Sequence, residues 1–210
     1  MIMIKLFEQY NEYSQVKEWL DKKSIMNYTI NNDLTVDVNG GVNLNSNRYN
    51  SDGLSEIPIQ FGEVSGDFLI ANNMLTTLVG SPKKVGGTFN CLGNELTSLK
   101  GGPIEVNGNF DCYNNKLTSL EGCPQYIGHH FKGDGNNIVT LKYVPKNFGV
   151  MDISYKTLPR EVELFCYLSN TKTKLLFKHQ EDYGIWNTDG SFNKGRWGIF
   201  LQDYQAGMIK

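Results

Sequence analysis

The chain has little of what catalytic and metal sites are usually built from. It holds three histidines and four cysteines among 210 residues, with no Cys-x-x-Cys pair, no phosphate-loop glycine pattern and no Gly-x-Ser-x-Gly elbow. Zinc, nucleotide-hydrolysing and α/β-hydrolase chemistries therefore lack their usual sequence anchors. Charge of either sign is also not in excess: 20 basic residues face 22 acidic ones. No basic cluster exceeds Lys83-Lys84 or the scattered Lys172, Lys174 and Lys178, so the counterion release that drives nucleic-acid binding would be weak, and no nucleic acid is expected as a partner. An acidic mimic of nucleic acid would need far more carboxylate. No apolar run approaches the ~18 residues of a membrane span, and Met1 to Lys5 is too short and too soon charged for a signal peptide. The expected setting is the cytoplasm, with no membrane partner and with the cysteines as reduced, buried thiols.

What is there is a period. Phe68, Phe89, Phe110 and Phe131 lie 21 residues apart, as do Leu78, Leu99, Leu120 and Leu141. Asn73, Asn94, Asn115 and Asn136 keep the register, and so do Pro82, Pro103, Pro124 and Pro145. A fixed period of this length means a solenoid. Within a unit, Phe110-Asp111-Cys112 alternates apolar, polar, apolar, which reads as a short strand with Phe110 and Cys112 inward. Cys91 and Cys112 occupy one inward position in adjacent units, a poor geometry for a disulfide. The stretch Leu117 to Gly122 before Pro124 is too short and too rich in Gly and Pro for a helix, so extended or 3₁₀ turns are expected there. The repeating glycines at 80, 86, 87, 101, 108, 122, 128 and 149 read as tight turns.

The spacing Phe110-x-Cys112-x-x-Asn115-x-Leu117 resembles the Leu-x-Leu-x-x-Asn-x-Leu core of leucine-rich repeats, and the 21-residue length is similar to their short bacterial class. The resemblance is strong over about residues 58 to 145. It implies a stack of short parallel strands on a concave face, and buried Asn amides that bond the backbone where the chain leaves the strand. One departure stands out: Val106 precedes Phe110 by four residues, where three is usual, so the entry to the strand is expected to differ. Weaker copies flank the regular ones. Val42-Asn43-Leu44-x-x-Asn47 reads as a first coil followed by an insertion from Arg48 to Gly53, and the unit from Pro58 carries three extra residues before Phe68. Val150 to Ser154 reads as a strand, and Pro159-x-x-Val162-x-Leu164-x-Cys166 as a shortened copy. Six or seven coils are expected, a rod roughly 30 Å long at about 4.8 Å per strand.

The ends differ in composition. Residues 4 to 23 place Leu6, Phe7, Tyr10, Tyr13, Val16, Trp19 and Leu20 at helical spacing, an amphipathic N-terminal cap. Glu8, Glu12, Glu18 and Asp21 on the polar side argue against anionic lipid. Ile25 to Val38 reads as a hairpin turning at Asn31-Asn32-Asp33. From Thr171 the chain is aromatic-rich, giving a short helix, a turn at Asn187 to Gly190 and a final helix from about Asn193 to Gln205. The organisation expected is therefore an N-terminal cap over 1–40, a repeat solenoid over 41–170 and a C-terminal helical and aromatic cap over 171–210, a β-rich solenoid with helical ends. The segment Tyr183-Gly184-Ile185-Trp186, with Asp189 to Asn193 and Arg196, resembles uncharacterised repeat proteins of tailed bacteriophages.

No catalytic set emerges, and no cofactor or metal site is expected. His129 and His130 would need Asp111 and Asp134 as further ligands, and the chain leaves no room for the catalytic domain of repeat-bearing bacterial ubiquitin ligases. The candidate site is the outward side of the strands: Leu69, Asn90, Leu92, Asp111, Tyr113, His130 and Lys132, with Ala71 also placed outward. An apolar centre of Leu69, Leu92 and Tyr113 in a polar frame suits a protein partner. A non-enzymatic interaction module of bacteriophage type, acting on a host or phage protein in the host cytoplasm, is the leading expectation. The alternative is a structural or adhesive particle component that holds a glycan by stacking on Tyr113 and bonding to the Asn/Asp band.

Overall fold

The computed structural model describes residues 2–47, 53–167 and 169–209, and the side chains of residues 11–47, 53–167, 169 and 171–209. Helix α1 (Ile2–Lys22) opens the chain and is followed by the antiparallel hairpin β1 (Tyr28–Ile30) and β2 (Val36–Val38). Leu6, Phe7 and Tyr10 of the expected apolar stripe, and Arg48 to Asp52 of the expected insertion, lie outside the described side chains and residues. Further along α1, Leu20 is fully buried, Val16 and Trp19 pack on the core, and the Trp19 ring meets Phe61 edge-on at 6.4 Å between centroids. The helix stops where Ser24 takes a left-handed conformation and the Ile25 N–H reaches back to the Leu20 carbonyl at 3.0 Å.

The repeats wind into a β-solenoid of about five turns with the 21-residue period. Each regular coil contributes a strand to each of two sheets. The first sheet continues from β2 through β4 (Phe61–Val64), β6 (Lys84–Val85), β8 (Glu105–Val106) and β10 (Tyr126–Ile127). The second runs β3 (Val42–Asn43), β5 (Phe68–Leu69), β7 (Phe89–Asn90), β9 (Phe110–Asp111), β11 (His130–Lys132) and β12 (Val150–Asp152). Successive coils pair parallel and in register. The four-residue spacing from Val106 to Phe110 is thus explained: Val106 belongs to a strand of its own, and the chain bends before it reaches Phe110. The three extra residues after Pro58 are taken up in the four-residue β4, whose pairing with β2 shifts register between Val36 and Val38.

The bend between the two sheets is a stack of backbone. The N–H of Gly66 donates to the Gly40 carbonyl, Gly87 to Gly66 and Gly108 to Gly87, each at 2.9 Å. A Cβ on Gly108 would sit 2.6 Å from the Gly87 backbone, so it is closeness between coils that demands glycine there. Inside, Phe68, Phe89, Phe110 and Phe131 form a column with ring centroids 5.3 to 5.6 Å apart and planes within 19°. Cys91, Cys112, Cys123 and Cys166 are all buried and unbridged.

The shared register of the asparagines is that of a hydrogen-bonded ladder. Asn94 Nδ2 donates to the carbonyls of Ile70 in the coil before (2.9 Å) and Cys91 in its own coil (3.0 Å), while its Oδ1 accepts from Leu75 N–H (3.0 Å). Asn73, Asn115 and Asn136 repeat this pattern. A turn buried between coils leaves backbone groups that water cannot reach, and one amide per coil pairs three of them. The residue before each rung is left-handed: Asn72, Gly93, Asn114 and Gly135 have φ between 57° and 71°. Asn and Gly are the residues that tolerate this conformation most readily.

Beyond β12 the expected shortened copy is not a strand. Residues Arg160–Tyr167 form helix α2, with Val162, Phe165 and Cys166 buried and Leu164 46% exposed. The spacing of those three residues is helical, and a strand would have put Leu164 on the same side as Val162 and Cys166. This removes a coil from the six or seven expected. Helix α3 (Asn170–Tyr183) follows, capped by Ser169 and ended at left-handed Gly184, and then α4 (Lys194–Gln205), capped by Asn193. Between them a Trp186–Phe192 bridge closes the expected turn. Gln180, 2% exposed, ties this region to the solenoid: its Nε2 donates to the Leu141 carbonyl at 2.8 Å and its Oε1 accepts from Trp186 Nε1 at 2.7 Å. Phe165 packs edge-on against Trp197, Phe200 and Tyr204.

Candidate protein-binding face

The outward side of the second sheet consists of rows fixed by pairing between coils. In one row Leu69, Asn90, Asp111 and Lys132 are register partners, with Asp152 next to Lys132. A neighbouring row holds Ala71, Leu92 and Tyr113: Asn72 N–H to Leu92 O (2.8 Å) joins the first two coils and Gly93 N–H to Tyr113 O (2.9 Å) the next two. His130 begins β11 and pairs with Val150. The seven candidate residues are thus brought onto one sheet face.

Their exposure is less uniform than the pattern suggested. Tyr113 is 47% exposed, and His130 and Lys132 are exposed as well. Leu69, Leu92, Asn90 and Asp111 are half-buried, and Ala71, expected outward, is buried at 3%. The apolar centre therefore narrows to the Tyr113 ring with the edges of two leucines. Ala71, Leu92 and Tyr113 share one repeat position, so exposure there rises with side-chain length: the alanine methyl stays below the surface and the tyrosine ring reaches out of it.

Asn90 and Asp111 are partly committed to the fold. Asn90 Oδ1 accepts from Leu92 N–H and Asp111 Oδ1 from Tyr113 N–H, each at 3.0 Å, closing the turn that ends the strand. At the row's entry, Asp67 Oδ1 accepts from Thr88 N–H (2.6 Å) and Asn109 Oδ1 from His130 N–H (3.1 Å). Burial pushes the Asp111 carboxyl above its ordinary pKa, against the opposing pull of the Tyr113 N–H and the Lys132 charge. Beneath it, burial and the Asp111 charge raise the thiols of Cys91 and Cys112, so both remain neutral. What faces outward includes the Tyr113 phenol, the His130 imidazole, the Lys132 ammonium, the half-buried Asp111 carboxylate and the exposed Asp152 carboxylate. These are groups that can bond and stack.

A feature invisible at the level of single motifs is the ion-pair ladder between coils. Lys84 meets Glu63 at 3.5 Å, Lys100 meets Glu121 at 2.9 Å, and Lys116 pairs with Glu95, each pair 21 residues apart. The signal was the charge alternation at one repeat length. Among the described residues, no three His, Cys, Asp or Glu side chains gather as a metal site, and no helix is long and apolar enough to cross a membrane.

No protein-family model, curated protein or solved structure matches this chain. Its class rests on its own geometry: a β-solenoid of stacked parallel strands with helices in its N- and C-terminal regions.

Proposed function

We propose that this protein is a non-enzymatic interaction module, a leucine-rich-repeat-like solenoid closed at its ends by helical caps, which holds a protein partner on the outward side of its second sheet. The observation that supports this most is the exposed Tyr113 ring on the same sheet face as exposed Lys132 and His130, on strands whose backbone is locked by the Asn ladder. A rigid aromatic anchor within a polar rim is how binding energy is commonly concentrated. The repeat-core motif with its buried Asn supports the leucine-rich-repeat reading, and the burial of Leu20 and of the Phe165, Trp197 and Phe200 cluster supports the cap reading. The C-terminal resemblance to phage repeat proteins supports a bacteriophage origin and a host or phage protein as the partner, met in the host cytoplasm.

The test is capture from a lysate of the native host, using wild-type protein beside a Tyr113→Glu/Lys132→Glu variant. Both positions are exposed, and the melting temperature of the variant is measured alongside, because a glutamate at 132 stands between Asp111 and Asp152. A protein retained by the wild type and lost from the variant is the expected result. Equal retention by both would remove this face from the binding site. Retention of a glycan or of intact particles in place of a soluble protein would move the reading to an adhesive component.

A further inference from the structure

Two Asn-Gly pairs occur in the same local sequence, Val38-Asn39-Gly40 and Val106-Asn107-Gly108. Each directly follows a first-sheet strand and opens the bend toward the second sheet, and the strand pairings place Val38 and Val106 in one register. Asn39 and Asn107 are both exposed. Such a pair is chemically labile, because the glycine nitrogen can attack the asparagine side-chain carbonyl carbon and glycine puts no side chain in the way.

The two pairs differ in what holds the glycine nitrogen. Gly108 N–H is bonded to the Gly87 carbonyl of the coil before it, at 2.9 Å. Gly40 is the first glycine of that stack, and its own carbonyl accepts from Gly66 N–H. Only α1 and the β1–β2 hairpin precede it among the described residues, so no earlier coil supplies a carbonyl to its nitrogen. Gly40 N–H donates instead to Ser65 Oγ at 2.9 Å, and the same hydroxyl donates to Asn39 Oδ1 at 3.2 Å. Ser65 is fixed in turn by its own N–H, which donates to the Val38 carbonyl at 3.0 Å. One hydroxyl oxygen thus bridges the nitrogen and the amide oxygen of a single Asn-Gly pair. At the other pair the corresponding residue of the next coil is Gly128, which carries no hydroxyl. A Cβ on Gly40 would meet nothing within 4 Å, so no neighbouring segment shields the nitrogen from that side.

We propose that Asn39-Gly40 is a site of self-modification, at which the Ser65 hydroxyl speeds intramolecular loss of ammonia from Asn39. Gly40 N attacks Asn39 Cγ and forms the new N–Cγ bond; its proton passes to Ser65 Oγ while the hydroxyl proton passes to Oδ1. The adduct then breaks its Cγ–Nδ2 bond as the Oδ1 proton moves to Nδ2. Ammonia leaves, and a cyclic imide remains. Water opens the ring at either carbonyl and leaves aspartate or isoaspartate at position 39. The groove beside it is lined by Asp37, Glu63 and Glu105 along with Lys84, so the product adds a carboxylate to an acidic wall. Isoaspartate also lengthens the backbone at the point where the glycine stack begins.

The experiment is incubation of the full chain at neutral pH, in buffer and in urea, with modification at each asparagine followed over time by mass spectrometry of its peptides. Ser65→Ala is treated in the same way, with its melting temperature measured alongside. In the folded wild type Asn39 should react at least about tenfold faster than Asn107, below the ~10²–10⁴-fold that a positioned proton-transfer group contributes. In urea the shared Val-Asn-Gly sequence should bring the two rates together. Ser65→Ala should lower the Asn39 rate severalfold and leave that of Asn107 unchanged. Loosening of the bend alone would raise the Asn39 rate, so a fall reports the hydroxyl. Should the variant fail to fold, the two sites of the wild type, compared folded and unfolded, still decide. The proposal is overturned if folded Asn39 reacts no faster than Asn107, if the difference persists in urea, or if a folded Ser65→Ala keeps the wild-type rate.

Discussion

Replacing Asn115 with leucine tests the ladder at its middle rung. The amide donates to the carbonyls of Cys91 (3.0 Å) and Cys112 (3.1 Å) and accepts from Leu96 N–H (3.0 Å). Those three partners would not suffer equally. The Cys91 carbonyl also receives the Asn94 amide and the Cys112 carbonyl the Asn136 amide, so each would keep one donor. Leu96 N–H would lose its acceptor inside the stack, which costs about 1–3 kcal/mol, while each half-served carbonyl adds less than about 1 kcal/mol. Leucine is similar in shape and recovers part of this through apolar burial. A net loss of about 2 kcal/mol is expected, which for a chain of this size lowers Tm by about 4–8 °C. Urea unfolding followed by circular dichroism would show it as a lower midpoint at unchanged slope. Asn115→Asp supplies the control, since it keeps the acceptor for Leu96 and sets a carboxylate against two carbonyls. Its folded-state pKa would be raised, so its stability would be best below the unfolded carboxylate value and be lost as pH rises through the folded one. A leucine variant within about 0.5 kcal/mol of wild type, or an aspartate variant without that pH dependence, would refute the ladder as a source of stability.

Two further outcomes concern titrating groups. Because burial raises the Asp111 pKa, charged Asp111 weakens the fold as pH climbs from the unfolded carboxylate value through the folded one. Asp111→Asn retains an acceptor for Tyr113 N–H, as Asn90 does for Leu92. The variant should therefore melt higher than wild type at pH 7, with the gain vanishing near about pH 3, where both side chains are neutral. An equal gain at both pH values, or a loss at pH 7, would contradict the burial argument. Burial pushes Cys123 and Cys166 up to about 12 and raises Cys91 and Cys112 as well. Thiols whose folded pKa is raised favour the folded state only below the unfolded value of about 8.5, so stability should fall as pH rises from about 9 toward 12. Calorimetry on wild type and Cys166→Ala would show a shallower alkaline decline in the variant, and identical slopes would count against it.

The repeat determined much by itself. A spacing of 21 residues, held by Phe, Asn, Leu and Pro alike, leaves a stacked coil as the simplest arrangement that buries every Phe and pairs the backbone at every Asn. The terminal helix α1, the hairpin at Asn31 to Asp33 and the turn at Asn187 to Gly190 were legible for the same reason, since their signals lie within a few residues. Three features were not. The first-sheet strand of each regular coil carries a single buried residue, Val85, Val106 or Ile127, so it shows no alternation, and the bend after it depends on glycine backbones meeting between coils. Helix α2 was hidden because Val162, Leu164 and Cys166 fit a strand as readily as Val162, Phe165 and Cys166 fit a helix, until Trp197 and Phe200 of α4 packed against Phe165. The candidate face was found as a set of positions, but exposure within it, from buried Ala71 to open Tyr113, was decided by how far each side chain reaches beyond the packed coils. A linear pattern fixes which residues recur together. How deep each one lies, and which hydroxyl stands over the Asn39-Gly40 pair, depends on contacts between segments far apart in the chain, and only the folded stack supplies those.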